Sequence, residues 1–266
     1  MHPAELTPLV EPLLQLARTA GEHIMAIYNA DEIGQRLKED QSPVTLADLA
    51  AHNVLAPALQ HLADWPVVSE EDEASLAVRT SALRFWLIDP LDGTKEFIAK
   101  NDEFTVNIAL IDRGRSVLGV VYAPALDLLY WGGPALGAHR IRGGLTQAIR
   151  VAQESCQQDQ AQTCRVVASK SHLNESTQKL IDKLGSVSLI QAGSSLKFCR
   201  VAEGAADIYP RLAPTCEWDT AAAQAVLEGA GGVVLDFNTR MPLCYSKAEV
   251  LNPSFVAARN TEVIPL

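Results

Sequence analysis

The stretch Trp86-Leu-Ile-Asp89-Pro-Leu-Asp92-Gly-Thr94 constrains the fold more than any other part of the chain. An apolar run feeds straight into an aspartate, and a proline, a second aspartate and Gly-Thr follow. The run needs burial, which makes 83–89 a strand inside a sheet, whereas Asp-Gly is turn chemistry. Residues 94–98 read as a short helix opened by that turn. Such a strand either stops on its carboxylates for no further reason, or it aims two acids at one point.

The neighbouring pattern defines the sheet. Short β-like runs at 66–69, 83–89, 104–112, 116–122 and 127–131 follow one another, and Asp112-Arg-Gly-Arg115 joins two of them as a hairpin turn. Strands this closely connected predict a largely antiparallel sheet. Two helices precede it. Apolar residues recur at helical spacing over 6–29, although Pro12 places the start of regular helix near Glu11. A second helix runs from Thr45 to about His61, and Thr45-x-x-Asp48 has the form of a capping box.

Residues 153–163, QESCQQDQAQT, are polar and without periodicity, which places a lobe boundary there. Beyond it the pattern alternates: strand 165–169, helix 175–184, strand 187–191, helical residues 195–203, strand 207–209, helix 218–229 and strand 232–236. The expected organisation is an N-terminal α+β lobe over 1–155, with a mainly antiparallel sheet, and a C-terminal α/β lobe over 156–266.

Charge and cysteine content exclude several functions. A formal net charge of −10 disfavours nucleic-acid polymers and anionic lipid surfaces. The five cysteines are widely spaced and never form C-x-x-C, which argues against a disulfide scaffold or structural zinc and fits a reducing cytosol. The N-terminus lacks the basic start and continuous apolar core of a signal peptide, and no stretch approaches the roughly 20 apolar residues of a membrane helix.

Four acidic features stand at turns or element ends: Asp48, Ser69-Glu70-Glu71-Asp72, Asp89-x-x-Asp92 and Trp218-Asp219-Thr220. Hard cations such as Mg²⁺ take oxygen ligands, typically a few carboxylates with water and substrate phosphate completing the shell. Asp89 and Asp92 around one turn can converge on such ions, with the Leu91 carbonyl between them. The Gly93-Thr94 amides can cradle a phosphate.

These residues carry a resemblance. Glu70-Glu71, then Asp89-Pro-Leu-Asp-Gly-Thr94, then Trp218-Asp-Thr-Ala-Ala222 resemble, in order, the signatures of the magnesium-dependent, lithium-sensitive superfamily of inositol monophosphatase and fructose-1,6-bisphosphatase. The resemblance implies a layered αβαβα sandwich. Lys95-Glu-Phe-Ile98, Gly193-Ser-Ser-Leu-Lys-Phe-Cys199 and Tyr209-Pro-Arg211 are similar to the bacterial CysQ branch of 3′(2′),5′-bisphosphate nucleotidases.

Carried onto this chain, the resemblance implies Glu70, Asp89, the Leu91 carbonyl, Asp92 and Asp219 as ligands of two or three Mg²⁺ ions. It makes Asp48 and Thr94 the pair that orients and deprotonates the attacking water, with Glu70 also catalytic. Substrate would meet Glu70, Leu91, Asp92, Gly93, Thr94 and Asp219, and His172, Ser194, Lys197 and Arg211 would contact the nucleotide. Ser194-x-x-Lys197 would set hydroxyl and ammonium on one side of a helical turn. Arg211 can grip phosphate in bidentate fashion.

The charges are consistent with this. Asp48, Glu70, Asp89, Asp92 and Asp219 carry five negative charges when ionised. Two Mg²⁺ bring four positive charges and three bring six, so the cluster makes sense only with metal. One ion would activate water for in-line attack on phosphorus and another would stabilise the departing ribose oxygen, with no covalent phosphoenzyme. The implied reaction is hydrolysis of adenosine 3′,5′-bisphosphate to AMP and phosphate, in sulfate assimilation. The implied location is cytoplasmic, with peripheral attachment at the inner membrane face as an option.

Plainer readings exist for each residue. Taken singly, Asp48 is a capping partner, Glu70–Glu73 a solvated loop, Asp219 a helix-start acid, and Lys197 and Arg211 surface cations. His172 reads as a loop or helix-cap residue. Glu71, Asp72 and Glu73 are expected away from the metals, and Tyr28, Trp86, Phe97 and Phe198 in the core. Among rival functions, a haloacid-dehalogenase-type phosphatase needs D-x-D-G-T, whereas two residues separate the aspartates here. Inositol or sugar phosphate hydrolysis on the same scaffold is the nearest alternative. A non-enzymatic binding protein fits less well, because acids stand at every expected catalytic position.

Overall fold

The computed structural model describes residues 1–30, 32–38, 43–153, 163–168 and 175–265. Helix α1 is Pro3–Tyr28, a small hairpin β1 (Arg36–Leu37) and β2 (Pro43–Val44) follows, and α2 is Leu46–Leu62. Next come β3 (Val67–Ser69), α3 (Leu76–Arg79), β4 (Arg84–Asp92), α4 (Thr94–Ile98), β5 (Thr105–Asp112), β6 (Arg115–Ala123), β7 (Leu128–Gly133), β8 (Gly137–Arg142) and β9 (Leu145–Ile149). The remainder is β10 (Cys164–Ala168), α5 (Glu175–Asp182), β11 (Val187–Gln191), α6 (Leu196–Ala202), β12 (Ile208–Arg211), α7 (Trp218–Gly229), β13 (Val233–Asp236) and β14 (Phe255–Ala258).

One sheet has the order β3-β4-β5-β6-β7-β8-β9, antiparallel except for the parallel β3–β4 pair. The other has the order β11-β10-β12-β14-β13, parallel through its first three strands and antiparallel through the rest. Strand alternation divides the interior into three cores. Trp86, Ile88, Ile108 and Val120 pack under α1 and α2. Phe85, Leu87, Ala109 and Val121 point the opposite way, onto α6, α7 and the inner face of the second sheet at Val167, Tyr209 and Phe255. Val166, Ile208 and Val256 face outward to Leu180 and Ile181 of α5. Helices, sheet, helices, sheet and helix therefore stack as the resemblance implies. Gly119 lets α7 lie flush on β6, since a Cβ there would collide with the Ala222 carbonyl.

Several expectations change. Helix α1 does not wait for Glu11 but starts at Pro3, capped by His2, whose ring accepts the Ala4 N–H while Glu5 accepts the His2 N–H. Pro8 and Pro12 each forgo one backbone bond, and burial of Leu6, Leu13, Leu14 and Ala17 outweighs that loss. The Thr45/Asp48 capping box forms as expected. Strands β8, β9 and β14 were not evident in the sequence: β9 is exposed over most of its length, and β14 is short and ends in alanine. Most of the polar 153–163 segment lies outside the described residues.

Candidate active site

Strand β4 continues past Asp89 to Asp92, and its register against β5 shifts between them. Asp89 pairs with Asn107 and Asp92 with Thr105, so three steps on β4 match two on β5. Pro90 has no N–H to give to the ladder, and the extra residue forms a bulge. In an unbulged strand, residues three apart point to opposite faces. The bulge turns both aspartates into one cavity of about 450 Å³, which Leu91 also lines. The Asp89 carboxylate accepts the Leu91 N–H at 3.0 Å. Gly93 follows in the left-handed region at φ 91°, and a Cβ there would strike the Ser194 hydroxyl.

Glu70, at the end of β3, and Asp219, in the first turn of α7, complete the acidic cluster. One carboxylate oxygen from each of Glu70, Asp89 and Asp219 lies within 4.8 Å of the others. Asp89 is 1% exposed. Burial, and then the charges of Glu70, Asp92 and Asp219, push its carboxyl well above the usual range. Burial and the charges of Asp92 and Glu70 do the same to Asp219, despite a 2.7 Å bond from the Cys216 N–H. Burial raises Glu70 too, against the pull of Lys38. Packed acids that the protein itself leaves under-neutralised, all presenting oxygen, suit a hard divalent cation. The residues present therefore fit a metal of that kind.

Asp92 is fixed by neighbours the sequence reading missed. Its Oδ2 accepts from Ser195 Oγ at 2.9 Å and Asn107 Nδ2 at 3.4 Å, and Asn107 also donates to Ser195 at 2.9 Å. Ser195 Oγ also lies 2.8 Å from the Asp219 carbonyl, so one buried hydroxyl spans both acid-bearing segments. No motif marks Asn107, which reads as one polar residue within a buried strand.

Asp48 and Thr94 meet across the cavity edge. Asp48 Oδ2 accepts the Thr45 N–H at 2.7 Å and its hydroxyl at 2.6 Å, leaving Oδ1 to accept the Thr94 hydroxyl at 3.2 Å. Capping and site geometry thus occupy different oxygens of one carboxylate. Burial raises the Asp48 carboxyl and the Thr45 bonds oppose the rise.

The same cavity also carries cations. Lys197 is no surface cation: it is 7% exposed, lies 5.7 Å from the centre of the Tyr209 ring, and burial lowers it to about 8. Arg211 lines the cavity and spends two donors on the Ala213 and Pro214 carbonyls. Ser194 precedes α6 at φ 46°, so it is not on a helical turn with Lys197. Its hydroxyl approaches the Asp92 and Glu103 carbonyls at 2.9 and 2.7 Å. His172 lies outside the described residues. Lys38, just after β1, holds Glu70 at 2.8 Å and Glu71 at 2.7 Å. Glu71 is thus engaged by an ammonium. Tyr28, Trp86, Phe97 and Phe198 are all core residues.

A fold of five layers, with an all-carboxylate cluster at a bulged strand end and a buried lysine lining the same cavity, defines a metal-dependent phosphatase class. Residues 5–264 match the family model described as the inositol monophosphatase family, and the chain belongs to that family. It is 45% identical over 249 residues to the 3′(2′),5′-bisphosphate nucleotidase CysQ of Salmonella typhimurium, covering 93% of this chain and 98% of the relative. Identity to the protein of that name from Haemophilus influenzae is 36%, over 93% of this chain and 91% of the relative. The crystal structure of CysQ from Bacteroides thetaiotaomicron superposes with a TM-score of 0.82 at 39% identity, over 94% of this chain and 96% of that one. An inositol monophosphatase from Anabaena, at 23% identity and a TM-score of 0.74 over 97% and 93% of the two chains, shares the fold.

Proposed function

We propose that the chain removes the 3′-phosphate of adenosine 3′,5′-bisphosphate, releasing AMP and inorganic phosphate, with two or three Mg²⁺ ions and sensitivity to lithium. The observation that carries this reading is one cavity that holds both an acidic cluster and two cations. Glu70, Asp89 and Asp219 converge on its wall, and Arg211 and buried Lys197 line the same cavity. A substrate with two phosphates can use the cations as well as a metal held by the acids. The CysQ relatives at 45% identity bear the name of that activity.

Glu70, Asp89, the Leu91 carbonyl, Asp92 and Asp219 would hold the cations. Bound there, hard divalent cations supply a water of lowered pKa and offset charge on the leaving oxygen. The chain's own groups do the rest. Thr94, whose hydroxyl hydrogen points to Asp48, presents its lone pairs to the attacking water and passes the proton toward that carboxylate. The raised pKa of Asp48 makes it the better acceptor. The water oxygen bonds to phosphorus as the bond to the ribose 3′-oxygen breaks, and that oxygen leaves with the electron pair and is protonated from solvent. Gly93 lets the phosphate approach the backbone. Lys197 and Arg211 anchor the second phosphate, with Ser194 and His172 as further contacts. Product removal in sulfur assimilation and a cytoplasmic setting complete the proposal. Among the described residues no helix is long and apolar enough to cross a membrane.

Phosphate release from a substrate panel in Mg²⁺, titrated with lithium, tests the reading. Adenosine 3′,5′-bisphosphate should be turned over faster than inositol 1-phosphate or simple sugar phosphates. The reverse order would make the chain an inositol phosphatase with the same hydrolytic site.

A further inference from the structure

Glu217 precedes the Trp218-Asp219 pair and is completely buried, yet it does not face the cavity. Its carboxylate accepts the Ser246 N–H at 3.2 Å, the Lys247 N–H at 3.1 Å and the Lys247 ammonium at 2.6 Å, and it pairs with Arg79 at 3.1 Å. Arg79 closes α3, the end of the segment that begins with Glu70. That segment is stiffened from within, as the Ser69 N–H donates to Ser75 Oγ at 3.1 Å and Ser75 Oγ to the Asp72 carbonyl at 2.5 Å. Arg79 also donates to the Lys247 carbonyl at 2.6 Å. On the other side, the Glu217 carbonyl accepts the N–H groups of Thr220 and Ala221, the first turn of the helix that carries Asp219. Asn252 braces that turn through the Cys216 carbonyl at 2.6 Å and the Thr220 hydroxyl at 3.1 Å.

We propose that Glu217 is a positioning residue for cation binding. Through Arg79 it holds the segment bearing Glu70, and through its own backbone the turn bearing Asp219, so it sets the separation of two ligands that are distant in sequence. The need for such a brace follows from the cluster. Glu70, Asp89 and Asp219 repel one another before a cation arrives, and Glu70 and Asp219 sit on different segments of the chain. Preorganised ligands spare the cation the cost of pulling them together. A purely structural ion pair would stabilise the fold without affecting cation affinity. Glu203, paired with Arg140 at 2.8 Å and Arg200 at 2.6 Å away from the acidic cluster, represents that case.

This inference rests on the proposed function only in taking the acids as a cation site. The test is titration of the metal-free full chain with Mn²⁺, read as Kd by electron paramagnetic resonance, beside thermal melts. Glu217→Gln and Arg79→Gln should bind Mn²⁺ at least about tenfold more weakly than wild type, whereas Glu203→Gln should lose thermal stability at unchanged Kd. If Glu217→Gln does not fold, Arg79→Lys, which keeps the charge but loses the fork, should still raise Kd several-fold. Folded Glu217→Gln, or failing that Arg79→Lys, with a Kd within about twofold of wild type would overturn the inference while leaving the cation site intact. A wild-type chain that binds no Mn²⁺ would instead sink the cation-site reading itself, and this inference with it.

Discussion

Two buried groups of acids in this molecule have opposite electrostatics. Asp207, before β12 in the second sheet, is 3% exposed, about as buried as Asp89 at 1%. Burial alone would raise both carboxyls. Asp207 instead falls below the usual carboxylate range, because the Arg165 side chain and N–H bond it at 2.8 to 3.0 Å and Arg259 adds its charge. Asp89 is driven well above that range, with other carboxylates for neighbours. At Asp207 the chain supplies the counter-charge itself. Around Asp89 the chain supplies less: Lys38 pairs with Glu70 and Glu71, and the charges of Lys197 and Arg211 reach Asp219, yet burial and the other acids still hold Asp89 and Asp219 well above that range. An acidic cluster left short of positive charge is costly to maintain, and it becomes favourable when an external cation binds.

The contrast can be broken from either side. The largest effect is expected from Asp89→Asn, which should lower kcat by at least about a thousandfold in saturating Mg²⁺ if, as proposed, Asp89 is a central ligand of the activating cations. Circular dichroism should show the metal-free variant folded and no less stable than wild type, because a repelling charge has gone. Near-normal turnover would remove Asp89 from the metal shell.

Asp207→Asn should do the reverse. It removes the carboxylate charge that pairs with Arg165 and Arg259 and should cost about 3 kcal/mol in denaturant unfolding, while turnover per folded molecule is preserved. The Asp207 contribution should also be sensitive to acid. Its folded pKa lies below its unfolded one, so its stabilisation is complete above the unfolded value of about 3.9 and is lost as pH falls through the folded value.

A smaller catalytic loss, about a hundredfold in kcat, is expected for Thr94→Val, measured with Mn²⁺ affinity held as a control. Loss of affinity instead of rate would assign Thr94 to binding.

The smallest effect concerns Lys197. Burial lowers Lys197 to about 8, so the free enzyme should carry that charge below pH 8 and lose it above. The alkaline limb of kcat/KM for the bisphosphate should therefore fall about fivefold over the first unit above pH 8, and Lys197→Arg should flatten it, because arginine stays charged. An unchanged limb in the arginine variant would separate Lys197 from substrate recognition.

Much of the scaffold was legible because burial has a period. The strands around Trp86 and Ile108, the Thr45/Asp48 box and the helix Trp218–Gly229 each carry a local pattern that burial or capping enforces. Beginning α1 near Glu11 failed because a local rule about proline met a long buried face. The plainer reading of Lys197 as a surface cation, set beside its role implied by the resemblance, does not hold, because a lysine on a helix gives no sign of which neighbours will cover it.

From the sequence alone came the acids Glu70, Asp89, Asp92 and Asp219 at turns and element ends, and, through the resemblance their motifs carry, the phosphatase family and the layered stacking of helices on sheets. The acids are legible from residue type and spacing, whereas the layering came with the resemblance. The tertiary structure alone decided that a bulge turns Asp89 and Asp92 to one side, and that Ser195 and Asn107 grip Asp92. It also decided that Lys38 reaches Glu70 and that Glu217 pairs with Arg79 of the segment that follows Glu70. Each is a contact between residues far apart in the chain, and local periodicity carries no information about which distant groups will share a low-dielectric interior.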